Sequence, residues 1–588
     1  MASTKTVIGL GKNLLRPISS SSRSNVQCLT RRLKANRIHT NSSQPSAYTK
    51  TSLNHNKHLV LAGGLLGSVS AFAFSTTFKH PATDDDALVS PLKDPTTTST
   101  LPLDQVPTYS YDTTEANLRA AFEELKDLLG TENVSLKVGE RVAHSGSEWS
   151  PAPRGEQDKP SMIVYPRSTE DVSGIAKICH RRRIPMIAFS GGTSLESTLA
   201  AQNQEICLDF NRHMNKILKI RKEDMDITLQ PSVGYEQLNE ILAKDGMFFP
   251  PDPWPGAQIG GMIAQGCSGT NAFRYGTMKD WVLGLTVVLA DGTIIKTRHR
   301  PRKSSSGYDL TRLIVGSEGT LGFVTEAHLK LTRAPQNMRV AVTQFPTVHD
   351  AISFAVKVIQ GGHQPEAMEL LDDISIRAVN VAGYLEEAMP EITTIFLKFS
   401  GQSAEDVQKQ AGIISKLAES AKADSWRLAK DDNEGEALWM ARKTALWSAL
   451  ALKHNPDDKF LTADAWVPVS KIGEIIERAH AMFQESGLVG SCIGHVGDGN
   501  FHAFVTFSAA EEAKARKIIG AIQRQSVDLD GTVTGEHGIG LEFRDQVIYE
   551  LGAEAVNTMR RVKYALDPLF LLNPGKMIRL EPASRTNA

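Results

Sequence analysis

The sequence predicts an α+β protein with two folded domains behind a basic N-terminal segment. Two patterns carry that reading. Over residues 161–334, short Val- and Ile-rich strands alternate with helical stretches, and glycines gather at the element ends. Over residues 338–507, longer helices are interleaved with strands, and the chain then runs to LDPLFLLNPGKM. No repeat of fixed period is visible. With 588 residues, 41% hydrophobic and 22% charged, the composition suits globular domains rather than a fibre or a disordered scaffold.

The N-terminal segment comes first. Before Asp84 the chain holds eleven Lys and Arg and no acidic residue, and it is rich in Ser. Val7, Leu10 and Leu14 share a helical face, with Lys5, Lys12 and Arg16 mostly elsewhere, until Pro17. A basic, acid-poor amphipathic helix is the pattern of a mitochondrial transit peptide, expected over residues 1–50. Residues 59–74 read LVLAGGLLGSVSAFAF, without a charge. A span needs about 20 apolar residues, which the stretch between Lys57 and Lys79 just reaches, so an anchor in the inner mitochondrial membrane is expected over residues 58–78, with a core helix as the alternative. Its basic flank and the following Asp84, Asp85 and Asp86 leave the rest of the chain in the intermembrane space. A Thr- and Pro-rich linker occupies residues 79–108.

From residue 84 onward 54 basic residues stand against 66 acidic ones. That excess argues against nucleic acid and favours a basic protein partner. Cys28, Cys179, Cys207, Cys267 and Cys492 form no C-x-x-C pair, which supports neither an iron–sulfur cluster nor a cysteine zinc site.

The first domain is expected over residues 109–335. It opens on a helix over residues 112–129, with Leu118, Ala121, Phe122, Leu125 and Leu129 on one stripe. MIVYP and PMIAF read as strands on either side of the helix DVSGIAKICHRRR. The second domain is expected over residues 336–580, with strands over 393–399 and 501–507 and helices over 403–421 and 471–486.

Three glycine segments of the first domain let backbone approach a ligand: SGGTSLES (190–197), PGAQIGGMIAQGCSGTNAFRYG (255–276) and GSEGTLG (316–322). Glycine has no side chain to fend off a phosphate, and successive N–H groups form anion-binding nests, so a bound pyrophosphate is expected. No G-x-G-x-x-G joins a strand to a helix in the folded region; Gly9 and Gly11 lie in the presequence. A nicotinamide dinucleotide fold is therefore disfavoured.

In the second domain His495 and His502 flank Gly497-Asp498-Gly499-Asn500, a strong turn former. If those four residues form the loop, His495 pairs with His502 directly across the hairpin, with Cβ atoms about 4.5–5.5 Å apart. Such a pair either shares a divalent metal or consists of two structural histidines beside a turn. TGEHGIG adds Glu536 and His537, and two His with one carboxylate suit zinc or manganese. Arg442, in LWMARKTALW, is a guanidinium that could grip a substrate carboxylate, or a plain helix charge beside Lys443. Trp439 and Trp447 are expected in the core.

MIVYPRSTEDV, FSGGTSLES, PDPWPGAQIGGMIAQGCSGTNAFRYGTMKDWVLGLTVVLADG and IVGSEGTLGFVTEAHLKL resemble, in that order, the two-subdomain FAD-binding domain of the vanillyl-alcohol-oxidase (PCMH) type. GHVGDGNFH, GTVTGEHGIG and LDPLFLLNPGKM resemble the FAD-linked oxidase C-terminal domain of D-lactate and D-2-hydroxyglutarate dehydrogenases. The resemblance implies FAD, held through Ser190, Gly191, Gly192, Thr193 and Ser194; through Gly256, Ile259, Gly260, Gly261, Gly266, Ser268, Gly269, Thr270 and Gly276; and through Gly316, Glu318, Gly319, Gly322 and Val324, with Asn573 from the C-terminal motif. Some relatives attach FAD to a histidine beside the first glycine loop. Ala188, Phe189 and Ser190 stand there in this chain, so non-covalent FAD is expected. The resemblance also implies His495, His502 and Glu536 as metal ligands, His537 as the base and Arg442 as the substrate arginine.

The activity so implied is oxidation of a D-2-hydroxy acid, D-lactate first, with cytochrome c as the electron acceptor. D-2-hydroxyglutarate is the alternative substrate and needs a further cation, for which Lys453 and Lys459 are the nearest in sequence. An ether-lipid synthase and a non-catalytic FAD-binding module remain as other readings.

Overall fold

A computed structural model describes residues 98–147 and 158–581, apart from 384, 386, 454 and 456. The expected transit peptide and anchor, and most of the linker, lie outside the described residues. Among the described residues no helix is long and apolar enough to cross a membrane.

The helix Glu115–Leu129 begins where its cap dictates: the Thr114 side chain accepts the Asn117 N–H, and Ala121, Leu125 and Leu129 form the buried stripe. It packs on the helix Thr169–Arg182 in a core shared with a mixed four-stranded sheet. In that sheet Val134–Ser135, Met162–Val164, Ile206–Asp209 and Met186–Phe189 lie side by side, the last three parallel. Parallel pairing follows from the helix that links Met162–Val164 to Met186–Phe189. A second, antiparallel sheet runs in the order Ile217–Arg221, Asp226–Leu229, Phe323–Lys330, Val282–Val288, Ile294–Lys296. These two sheets form the two-part first region.

The remainder is built on one seven-stranded antiparallel sheet, ordered Ser425–Leu428, Arg339–Phe345, Thr393–Phe399, Ala367–Leu371, Val489–His495, Asn500–Phe507, Lys459–Trp466. One face packs on the helices Val348–Gln360, Ala404–Ser420, Ile472–Ser486 and Glu512–Asp528. Ser403 and Asp406 close a reciprocal cap at the start of the second of these. Strand alternation sends Ala463, Ala465, Cys492, Phe501 and Ala503 to that face. Their neighbours Glu369, Asp464, Ile493, His495, His502 and Phe504 are turned the other way, toward the helix Asp432–Lys443 and a large cavity. Period-two geometry alone thus gathers acidic and imidazole side chains on one face.

Candidate active site

The glycine segments and the polar face of the seven-stranded sheet enclose a cavity with about 1930 Å³ of empty space, its open mouth included. Ser190, Gly191, Gly192, Thr193, Ser194, Gly260, Gly261, Gly269, Thr270, Glu318, Gly319, Gly322, Val324 and Asn573 line it, and so do Arg442, His495, His502, Glu536 and His537. Six residues expected at the cofactor do not reach its wall: Gly256, Ile259, Gly266, Ser268, Gly276 and Gly316. They have other work. Ile259 is fully buried in the core. Gly266 and Gly276 end short helices with φ of 69° and 76°, a region that only glycine enters without strain. Gly256 presses its carbonyl against Gly191, where an added Cβ would lie 2.7 Å away. Gly316 packs on Gly266, whose added Cβ would lie 3.2 Å from the Gly316 Cα.

The hairpin register differs from the expected one. His495 lies opposite Asn500, and His502 lies opposite Ile493, so the loop is residues 496–499. Asn500 is drawn into the strand because its side-chain amide donates to Asp464 Oδ1 (2.8 Å) and to the Ala465 carbonyl (3.0 Å). Gly499, with φ of 102°, takes the turn instead. The difference moves one histidine by two positions, which preserves the face. The two rings remain neighbours, their centroids 5.3 Å apart.

A carboxylate stands behind each ring. Glu369 accepts from His495 Nδ1 at 3.0 Å, and Asp464 Oδ1 stands 3.5 Å from His502 Nδ1. The two Nε2 atoms are left facing Glu536 Oε1, at 3.5 and 3.2 Å. One ligand atom from each of His495, His502 and Glu536 falls within 4.8 Å of the others. The second oxygen of Glu536 accepts the Ser268 hydroxyl (2.7 Å) and the Gly269 N–H (2.9 Å). Ser268 therefore holds the acid in place. Asp464 Oδ2 accepts the Thr534 hydroxyl and the N–H groups of Gly535, Glu536 and His537, all at 2.7–2.9 Å. That fan of donors ties the GEH turn to the sheet. Glu318 ties the other end: its oxygens accept from Ile539 N–H (2.6 Å) and Gly540 N–H (2.8 Å).

His537 stacks on His502 with centroids 4.8 Å apart and planes at 16°. Burial opposes its charge, but the carboxylates of Asp464, Glu196 and Glu536 prevail and raise it to about 9; a divalent cation held by His495, His502 and Glu536 would push it back down and free the ring as a base. Burial also opposes charge on His495, which Glu369 and Glu536 nevertheless hold well above the usual imidazole range. Glu536 goes the opposite way, held well below the carboxylate range against burial by His495 and His502. The cluster is built to keep Glu536 anionic.

Arg442 is no surface charge. It is 4% exposed, one terminal nitrogen donates to Glu369 Oε2 (2.5 Å), and its Nε is buried with no partner among the described residues. Trp439 packs beside the core and carries Lys398 over its ring at 3.8 Å. Trp447, expected in the core, instead lines the cavity, its ring 4.6 Å from that of Trp254. Asp252 and Lys443, which the sequence reading did not single out, line it too, whereas Lys453 and Lys459 do not.

Residues 334–577 match the profile described as FAD linked oxidases, C-terminal domain, and residues 160–298 match that of the FAD binding domain. The D-lactate dehydrogenase [cytochrome], mitochondrial, of Kluyveromyces lactis is 42% identical over 531 residues, covering 89% of this chain and 90% of its own. The chain belongs to the FAD-linked oxidases. D-lactate dehydrogenase [cytochrome] 1, mitochondrial, of Saccharomyces cerevisiae is 40% identical and covers 83% of this chain and 85% of its own. Among solved structures, p-cresol methylhydroxylase with substrate bound is 17% identical with a TM-score of 0.66, covering 82% of this chain and 99% of its own. That likeness concerns the fold.

The cavity of this FAD-linked oxidase suits its cofactor. A Cβ on Gly261 would meet no atom of the described residues within 4 Å, so the absent side chain leaves room at the wall. Gln265 Oε1 and Asn573 Oδ1 are buried without a donor among the described residues, and both residues line the cavity. A ligand rich in N–H and O–H groups satisfies such acceptors. His144 packs tilted against Phe189, centroids 4.2 Å apart, but its ring nitrogens are engaged by the Glu140 carbonyl and Asp209.

Proposed function

We propose that this chain oxidises D-lactate to pyruvate with non-covalent FAD and passes the electrons to cytochrome c. The observation that carries the reading is the convergence of His537, the trio His495, His502 and Glu536, and Arg442 on the cavity that the glycine segments line. The names of the mitochondrial relatives supply the substrate and the acceptor. Bound FAD supplies the hydride acceptor, and a divalent ion, zinc or manganese, held by His495, His502 and Glu536 supplies Lewis acidity at the substrate hydroxyl.

The protein's own groups do the rest. Arg442 offers its unpartnered Nε to the substrate carboxylate and fixes the α-carbon in place. His537 removes the hydroxyl proton at Nε2 while the α-hydride leaves. Trp254 and Trp447 narrow the approach and exclude water. Glu369 touches both Arg442 and His495, so the carboxylate grip and the ligand set share one support.

The acid-poor N-terminus and the uncharged run at residues 59–74 support a mitochondrial inner-membrane position facing the intermembrane space. The acidic excess of the remainder steers a basic electron carrier toward it. A second reading, a longer D-2-hydroxy diacid such as D-2-hydroxyglutarate, draws on Lys443 beside Arg442 in the cavity. Anaerobic bleaching of the flavin by D-lactate, L-lactate and D-2-hydroxyglutarate in turn, followed by cytochrome c, tests both. Selective bleaching by D-lactate with recovery on cytochrome c is expected; a flavin that none of the acids bleaches overturns the proposal.

A further inference from the structure

Glu196 belongs to the first glycine segment, yet its side chain serves the opposite wall. It is 2% exposed, and its Oε1 lies 3.6 Å from His537 Nδ1. Neither atom has a hydrogen-bond partner among the described residues, and both are buried. Their backbones are held independently. The Glu196 carbonyl accepts the Leu541 N–H at 2.9 Å, and a Cβ on Gly540 would lie 1.7 Å from that same oxygen, so only glycine lets the two segments meet. On the other side the His537 N–H is fixed on Asp464 and its ring is stacked on His502.

We infer that Glu196 is the positioning residue of His537, accepting the Nδ1–H so that Nε2 faces the substrate hydroxyl as a free lone pair. The inference rests on the reading of His537 as the base. Two buried polar atoms that face each other across a few tenths of an ångström more than a hydrogen bond, with no other partner, are satisfied only by closing on one another. Catalytic hydrogen bonds are commonly long without substrate and tighten in the complex. The other tautomer would set the Nδ1 lone pair against a carboxylate oxygen, two acceptors face to face. The hydrogen bond made by one ring nitrogen thus decides which nitrogen is free to take a proton. When Nε2 takes the hydroxyl proton, the imidazolium so formed remains paired with the Glu196 carboxylate. A residue of the flavin segment therefore orients the base of the substrate segment.

The test compares the holoenzyme with Glu196→Gln, His537→Gln and the double variant by anaerobic stopped-flow reduction of the flavin with D-lactate. Glu196→Gln is expected to slow flavin reduction by about 10–100-fold with KM and FAD content unchanged. The double variant is expected to be no slower than His537→Gln alone, the non-additivity of residues acting as a unit. Wild-type flavin reduction in Glu196→Gln, or losses that multiply in the double variant, overturns the inference and leaves the base assignment intact. Wild-type reduction in His537→Gln removes the base assignment itself. Should Glu196→Gln lose FAD, 15N spectra of the histidine-labelled wild type, taken above the His537 pKa with His537 assigned by difference, decide: a neutral ring protonated at Nδ1 and bare at Nε2 supports the inference, and the opposite tautomer overturns it.

Discussion

Asp464→Asn isolates the device that holds the GEH turn. The carboxylate accepts four donors at Oδ2 and the Asn500 amide at Oδ1. Hydrogen bonds to a charged group contribute about 1.5–3 kcal/mol, roughly twice those between neutral groups. An amide oxygen at the Oδ2 position keeps the four donors but weakens each by about 1 kcal/mol, and its NH2 then faces the Asn500 amide, donor against donor. The expected loss is about 4 kcal/mol, within the roughly 5–15 kcal/mol of a typical domain, so the variant still folds. Misplacement of Glu536 and His537 by about 1 Å is expected to slow flavin reduction on the order of 10²-fold. Urea unfolding measures the first effect and anaerobic stopped flow the second. A stability loss below about 1 kcal/mol together with wild-type flavin reduction refutes the reasoning.

Arg442→Lys keeps the charge but loses the planar fork, and is expected to raise KM for D-lactate by at least about 10-fold, a factor matching roughly 1.4 kcal/mol, with FAD retained; steady-state rates check it. Dialysis against a chelator is expected to abolish turnover while the flavin spectrum persists, with zinc or manganese restoring the rate; full turnover after verified removal of the ion argues against the ligand set. In Gly191→Ala the new Cβ would lie 2.7 Å from the Gly256 carbonyl, forcing two cofactor segments apart, so FAD content after gel filtration falls. Lys398 is brought to about 8 by burial, against the opposing pull of Asp252 and Glu369. Because its folded value lies below the unfolded one, a charge penalty is present at pH 7 and is relieved as pH rises from about 8 to 10.5. Denaturant unfolding should therefore show the wild type gaining up to about 3 kcal/mol over Lys398→Met across that window.

Much of the site was legible because its residues lie in short runs whose composition has a local cause. Gly191 and Gly192 announce a close backbone approach, and GEHGIG puts an acid and an imidazole where no side chains crowd them. The supports were not legible, because each comes from a distant strand or loop. Glu369 sits alone in the apolar strand Ala367–Leu371 and Asp464 in Lys459–Trp466. A single carboxylate in a strand that is otherwise buried is itself a signal, since its charge must be met by partners. The hairpin register failed for a different reason. Turn propensity made Asn500 a loop residue, but its amide bonds to Asp464 and Ala465 kept it in the ladder. Trp447 was placed in the core on bulk alone, which does not distinguish a core from a cavity wall.

Glu536 stands on the substrate side of the cavity but is held by Ser268 and Gly269 of the flavin side, just as Ile539 and Gly540 hang from Glu318. The two halves are thus not interchangeable cassettes. A chimera that joins residues 334–581 of this chain to the flavin half of another FAD-linked oxidase would carry Glu536 and His537 without the clasps that aim them. Retargeting the enzyme to a new acid therefore means transplanting residues 196, 268, 269 and 318 along with the turn they support.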